Sequence, residues 1–295
     1  MRPDIVHKVW CATKPMVAIE VVRLLDGVGF DWDLPLGKDT FGSGDSPVTV
    51  RSLLAHQAGL AEPSLAHTLL TVHSDRDALI RTRFRERGSS EPQYSEVGAW
   101  HALTCAAEEE SNSSVRESIQ SSLRTIGAPA TLVVVSDEDL PSVSQNGGVY
   151  WSGGGGRCVP WLHDLTPYCA LIDTDCHLGG YSNPVDLAQW IGLLATTIAG
   201  SPTKGFPPVA ALQELFDPAA TYSLGLVVDA VGTELIAPTK VPVIASIGAF
   251  GSCLAVARLD TGEAAALLVN GMPDDIAIFS EWRARKIAEL LEIVE

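Results

Sequence analysis

Apolar positions follow two different rhythms along this chain. Over residues 11–26, Met16, Val17, Ile19, Val21, Val22, Leu24 and Leu25 crowd a helix-length stretch that stops at Asp26-Gly27, which predicts a strong helix beginning near Cys11. Residues 30–47, rich in Gly, Asp and Pro, read as a loop, and residues 48–56 lead into another helix. Helical composition then runs to about residue 124, broken over residues 88–92. The run Thr131-Leu132-Val133-Val134-Val135 fits a strand or a buried helix segment. Residues 184–198 form an apolar-periodic helix. The last third changes rhythm: residues 223–231, 241–246, 252–259 and 263–270 read as strands parted by turn signals such as Asp260-Thr261-Gly262. A helix over about residues 275–294 closes the chain. This order predicts an α/β fold of the α+β type, an antiparallel sheet flanked by helices and joined to a mostly helical lobe. The expected division is one domain with a sheet lobe (about 1–32 and 200–295) and a helical lobe (about 33–199), with a site between them.

Composition narrows the function. The 295 residues are 46% hydrophobic, enough to bury a large core. Lys and Arg number 20 against 36 Asp and Glu, and the net charge of −16 repels phosphate backbones and anionic lipid. Neither nucleic acid nor membrane is an expected partner. No apolar run approaches the roughly 20 residues that span a bilayer, and residues 1–8 hold no signal-like apolar core, so a soluble, cytoplasmic protein is expected. The six cysteines (Cys11, Cys105, Cys158, Cys169, Cys176, Cys253) form no C-x-x-C pair and read mostly as reduced, buried side chains. Three Cys and two His between positions 158 and 177 are irregularly spaced for zinc and read as loop and core residues. The tract Ser152-Gly153-Gly154-Gly155-Gly156 looks flexible, and Arg157-Cys158 follows where a phosphate loop needs Lys-Ser/Thr. No metal or cofactor is expected.

Candidate chemistry begins at the first helix. Cys11 opens it and Lys14 follows three residues later, so both side chains share one face of the first turn. A thiol at a helix N-terminus feels the positive end of the dipole, and a nearby ammonium acts in the same sense, so both favour the nucleophilic thiolate. The spacing alone favours the plainer reading, a buried Cys beside a solvated Lys, since the two residues stand three apart by chance often enough.

The surrounding text decides between these. Cys11-Ala12-Thr13-Lys14-Pro15-Met16-Val17-Ala18 resembles the S-x-x-K motif of the serine β-lactamase and penicillin-binding-protein superfamily, with Cys in place of the serine. Residues Val48-Thr49-Val50-Arg51-Ser52-Leu53-Leu54-Ala55-His56-Gln57-Ala58-Gly59-Leu60 are similar to the "I-T-V-R-x-L-L-x-H-x-S-G-L" signature of its class C β-lactamase and esterase branch. Leu25-Asp26-Gly27 through Leu34-Pro35-Leu36, Gly179-Gly180-Tyr181-Ser182 and Tyr222-Ser223-Leu224-Gly225-Leu226 match further landmarks in order. Tyr94-Ser95-Glu96 resembles the second motif, Y-x-N, with Glu96 replacing the asparagine. Ser246-Ile247-Gly248 falls where K-T-G or H-x-G is expected, with Ser246 replacing the basic residue. The resemblance runs from about Asp4 to Glu295, although two strands and a helix precede the nucleophile in the family and only ten residues do here.

The resemblance implies a β-lactamase-like fold and covalent acyl transfer, with Cys11 as nucleophile, Lys14 holding its thiolate and Tyr94 relaying protons. It also implies an oxyanion hole from the N–H of Cys11 and that of a residue after Gly248, either Ala249 or Phe250. Glu96 and Ser246, with Gly248 and Ala249, would face substrate. Ionised Glu96 only accepts hydrogen bonds and Ser246 carries no charge, so a β-lactam carboxylate is a poor fit. The expected partners are a small-molecule acyl donor and a nucleophilic acceptor, with transfer to an amine, hydrolysis of esters or amides, and a non-catalytic binding module as the open readings. Loss of the family's first strand would leave residues 263–270 as an apolar edge, which predicts a second copy or another chain paired there.

Overall fold

The computed structural model describes residues 6–36, 47–59, 94–95, 97–128, 131, 151–154, 157–160, 179–229, 239–248, 253–269, 271–272 and 276–292. Among them, seven α-helices run α1 (Lys14–Asp26), α2 (Val50–Leu54), α3 (Gly98–Ser111), α4 (Val115–Ile126), α5 (Pro184–Ile198), α6 (Val209–Leu215) and α7 (Ile276–Leu291). Ten strands accompany them: β1 (His7–Lys8), β2 (Trp151–Gly154), β3 (Arg157–Pro160), β4 (Tyr181–Ser182), β5 (Tyr222–Ser223), β6 (Leu226–Val228), β7 (Val243–Ile247), β8 (Cys253–Arg258), β9 (Ala264–Leu268) and β10 (Gly271–Met272). Helix starts follow local chemistry. The Asn183 side chain accepts the Asp186 N–H at 2.8 Å ahead of Pro184, and Thr49 and Ser52 cap α2 reciprocally.

The main sheet is antiparallel, in the order β5-β6-β7-β8-β9, with Ser246 opposite Ala255 and Ala255 opposite Ala266. Its two faces sort residues with a period of two, as the pleat requires. Ile244, Cys253, Ala255 and Ala257 join the large core with α1 and α5, while Val243, Ala245, Leu254 and Val256 meet Ala284, Ile287, Ala288 and Leu291 of α7. The short side chains of Ala255, Ala257, Ala264 and Ala266 let α5 settle closely on β8 and β9. Strand β9 is the outer strand of this sheet, half-buried along its length, with no strand on its far edge among the described residues. Two smaller pairings lie apart from it: β1 with β4, and β2 between β3 and β10.

Three expectations need correction. The first helix does not begin as α-helix at Cys11: Trp10–Thr13 form a 3-10 turn and the α-helix starts at Lys14, where Pro15 cannot donate a hydrogen bond. Within the glycine-rich tract, Ser152, Gly153 and Gly154 belong to strand β2, which pairs antiparallel with β3 from Trp151 opposite Pro160 to Gly154 opposite Arg157. The strand expected over residues 223–231 is two short strands, because Leu224 and Gly225 both take left-handed backbone, φ 53° and 72°, and turn the chain back. Residues 132–135, which fitted either a strand or a buried helix segment, lie outside the described residues.

Candidate active site

The 3-10 turn packs against the C-terminal end of β7, at Ser246 and Gly248. Ala12 N–H donates to the Val9 carbonyl at 3.0 Å, Thr13 Oγ1 donates to the Trp10 carbonyl at 2.6 Å, and all four residues of the turn are buried. Ser246 Oγ, from β7, donates to the Ala12 carbonyl at 3.1 Å and ties the turn to the sheet. Glycine makes this approach feasible on both flanks. A Cβ on Gly180 would lie 1.7 Å from Thr13 Cγ2, and one on Gly248 would lie 2.5 Å from the Val9 carbonyl oxygen. Cys11, inside the turn, is 7% exposed.

Lys14 follows as the first residue of α1 and is 1% exposed. Its Nζ lies 5.4 Å from the centroid of the Tyr94 ring, a cation–π distance that partly offsets the cost of removing an ammonium from water. Tyr94 is itself 36% exposed, so its ring bridges the buried ammonium and the solvent side. The chain beyond it is anchored by Ser95, which is buried. Ser95 Oγ accepts the Ala99 N–H at 2.9 Å, and its carbonyl accepts Trp100 Nε1–H at 3.1 Å. Segments far apart in sequence, at Cys11–Lys14, Tyr94 and Ser246–Gly248, are thereby brought to one end of the sheet.

The Ser246 hydroxyl hydrogen is engaged with Ala12. Gly248 N–H donates to the Cys253 carbonyl at 2.9 Å, so Gly248 is bound within the β7–β8 connection. Glu96 and Ala249 lie outside the described residues, as does Phe250.

Two residues without a role from sequence stand beside these. His56, 2% exposed, accepts the Ser95 N–H on Nδ1 at 2.9 Å and stacks on Tyr94 with ring centroids 4.5 Å apart. Burial, reinforced by the Lys14 charge, pulls its pKa from 6.5 to about 3. Its position inside the signature after Val48 was the only signal the sequence offered. Cys253 is fully buried on the same face of the sheet, and burial pushes its thiol up to about 12. It is therefore an inert thiol next to the site. No group of three or more His, Cys, Asp or Glu side chains among the described residues is gathered as a metal site requires. No helix among them is long and apolar enough to cross a membrane.

The arrangement can support covalent chemistry: a thiol in a buried turn, an ammonium one residue beyond the turn, and a phenol over that ammonium. The Beta-lactamase family model matches residues 1–289, and the chain belongs to that family. Solved structures agree on the fold. The octameric penicillin-binding protein homologue from Pyrococcus abyssi superposes with a TM-score of 0.70 at 16% identity, over 99% of this chain and 67% of that one. Simvastatin synthase (LovD) from Aspergillus terreus gives 0.70 at 12% identity, over 98% and 85%. EstCE1, a hydrolase with promiscuous acyltransferase activity, gives 0.67 at 14% identity, over 97% and 85%. No curated protein matches the chain by sequence.

Proposed function

We propose that the chain is an acyl-transfer enzyme that works through a thioester on Cys11. The observation that carries this reading is the Lys14 ammonium, buried three residues after Cys11 with Nζ 5.4 Å from the Tyr94 ring. A buried cation with an aromatic partner beside a nucleophile serves charge that develops during reaction. The Cys11 thiolate attacks the carbonyl of an ester or thioester. A carbon–sulfur bond forms as the bond to the leaving alkoxide or thiolate breaks, and Tyr94 delivers the proton to the leaving group. Lys14 remains an ammonium throughout. An amine then attacks the thioester carbonyl, the Cys11 thiolate departs, and the amine's proton passes to Tyr94. The oxyanion donors are the Cys11 N–H and an N–H beyond Gly248, whose own N–H is engaged.

Transfer is favoured over hydrolysis because thioesters yield to amines more readily than oxygen esters do, and because Glu96 supplies an acceptor for an incoming ammonium. Two proteins of the same fold are a synthase and a hydrolase with acyltransferase activity, which supports this class of reaction. Intact-protein mass spectrometry after incubation with aryl esters and acyl thioesters tests the reading. One acyl increment is expected on the natural protein and none on Cys11→Ala, and an undiminished adduct on the variant removes Cys11 from the mechanism. Amines offered to the acyl-enzyme should give amides; free acid alone with every amine leaves a cysteine hydrolase. A non-catalytic binding module is the second reading, favoured by Ser246, whose hydroxyl is committed to Ala12 where the resembling motif carries a cation. Absence of any adduct across the panel supports it.

A further inference from the structure

The acyl-transfer reading leaves His56 without a task, although its ring meets those of Tyr94, Trp100 and Tyr222. We propose that His56 is the positioning residue of the site, holding Tyr94 in place over Lys14 by a stacked ring and a hydrogen bond to the adjoining backbone; the inference rests on that reading and deepens it. His56 follows α2 with left-handed backbone, φ 55°, a conformation disfavoured for a side chain of this size and kept where the surroundings over-determine it. It is 2% exposed. Nδ1 accepts the Ser95 N–H at 2.9 Å, which fixes the peptide next to Tyr94 across a sequence separation of 39 residues. The imidazole lies nearly parallel to the Tyr94 ring, 4.5 Å away at 23°. Tyr222, at 5.2 Å and 68°, and Trp100, at 5.5 Å and 65°, close around it edge to face.

Because Nδ1 is the acceptor, the hydrogen of a neutral ring sits on Nε2, which is buried and without a hydrogen-bond partner among the described residues. An orphaned polar atom in so ordered a place is a cost that packing elsewhere must offset. Among the described residues, the titratable groups facing the imidazole from neighbouring elements are Lys14 of α1, Tyr94, and Tyr222 of β5. Protonation would set a second cation beside Lys14 and destroy the acceptor at Nδ1, and burial together with Lys14 keeps the ring neutral. A ring that stays neutral, with Nδ1 occupied, carries no proton in the reaction. Its contribution passes through Tyr94.

The test uses the full chain in four forms: natural, His56→Phe, Tyr94→Phe and the double variant, with His56→Asn as a conservative control. The rate of Cys11 alkylation by iodoacetamide is read against pH, with the melting temperature of each. His56→Phe keeps a ring and loses the acceptor; Asn keeps an acceptor where Nδ1 stands. His56→Phe is expected to move the alkylation profile in the same direction as Tyr94→Phe and to slow acyl-enzyme formation on the order of 10- to 100-fold, as displaced catalytic groups do. In the Tyr94→Phe background it should add nothing, and His56→Asn should recover most of the profile. Additive losses, a melting temperature that falls with an unmoved profile, or an Asn variant no better than Phe each overturn the proposal. If Tyr94→Phe itself leaves the profile unmoved, the acyl-transfer reading fails first, and the His56 proposal falls with it through a different arm of the same experiment.

Discussion

On the inner side of the five-stranded sheet Lys14 is a buried cation, one residue after the turn that holds Cys11, with a tyrosine ring 5.4 Å from its ammonium. On the outer side the buried cation is Arg283 of α7, 0% exposed, donating from Nη1 to the Cys253 carbonyl at 3.3 Å while Nε and Nη2 find no partner among the described residues. The inner side also buries Thr13, His56, Ser182 and Ser246, whereas the outer cluster is built from Val227, Val243, Ala245, Leu254, Val256, Ala284, Ile287, Ala288 and Leu291. Burial lowers the Arg283 pKa below its ordinary value, and the Cys253 thiol opposes that shift only weakly. Buried charge is tolerated on both faces, but only the inner one surrounds it with groups that can use it. The outer face is a packing surface that happens to enclose a guanidinium.

Four experiments break or sharpen this contrast. Lys14→Met, which preserves volume and deletes the charge, should slow acyl-enzyme formation about 10²- to 10⁴-fold in stopped-flow or quenched mass measurements. A change of less than a few-fold would reduce Lys14 to a packing residue like its counterpart on α7.

Next in size is the pH dependence contributed by His56. Its folded pKa of about 3 lies below the ordinary 6.5 of an unfolded chain, so the unfolded state takes up the proton first as pH falls. The contribution is whole above about pH 6.5 and is lost progressively down to about pH 3, amounting to a few kcal/mol. Urea unfolding at several pH values should show the stability gap between the natural protein and His56→Phe narrowing over that window. A gap independent of pH would mean that the imidazole is not held neutral.

On the outer face, Ile287→Ala should cost about 2–4 kcal/mol through cavity formation, with the Cys11 alkylation profile unchanged. A shifted profile would show that the two faces are coupled through β7 and β8. The smallest effect is expected from Arg283→Met, which removes a desolvated charge and one long hydrogen bond and should stabilise the fold by about 1 kcal/mol. Thermal unfolding decides: a lowered melting temperature would assign Arg283 the task of holding the Cys253 carbonyl, and with it the β7–β8 connection.

Much of the architecture is legible in local pattern. Helix α5 announces itself through Asn183, Pro184 and an apolar period, and β7, β8 and β9 through apolar runs parted by turn signals such as Asp260-Thr261-Gly262. The spacing of Cys11 and Lys14 predicted a helix beginning near Cys11, whereas Cys11 sits in a 3-10 turn that Ser246 contacts and the α-helix begins at Lys14, ahead of Pro15. The glycine tract near Ser152 misled because glycine permits a paired strand as readily as a loose loop, and pairing partners decide between them.

What the sequence determined alone is the order of elements, the apolar faces they must bury, and the presence of Cys11, Glu96 and Ser246 in segments that resemble the family's motifs, because each is written in neighbouring residues. Tertiary structure alone decided that Ser246 bonds to Ala12, that Cys253 is an inert thiol beside the site, that Arg283 is buried, and that His56 stacks on Tyr94. Each of these depends on contacts between residues tens or hundreds of positions apart. Arg283 shows why: in Glu281-Trp282-Arg283-Ala284-Arg285-Lys286 nothing local distinguishes the arginine that faces the sheet from the one that faces water, and only the docking of α7 makes that choice.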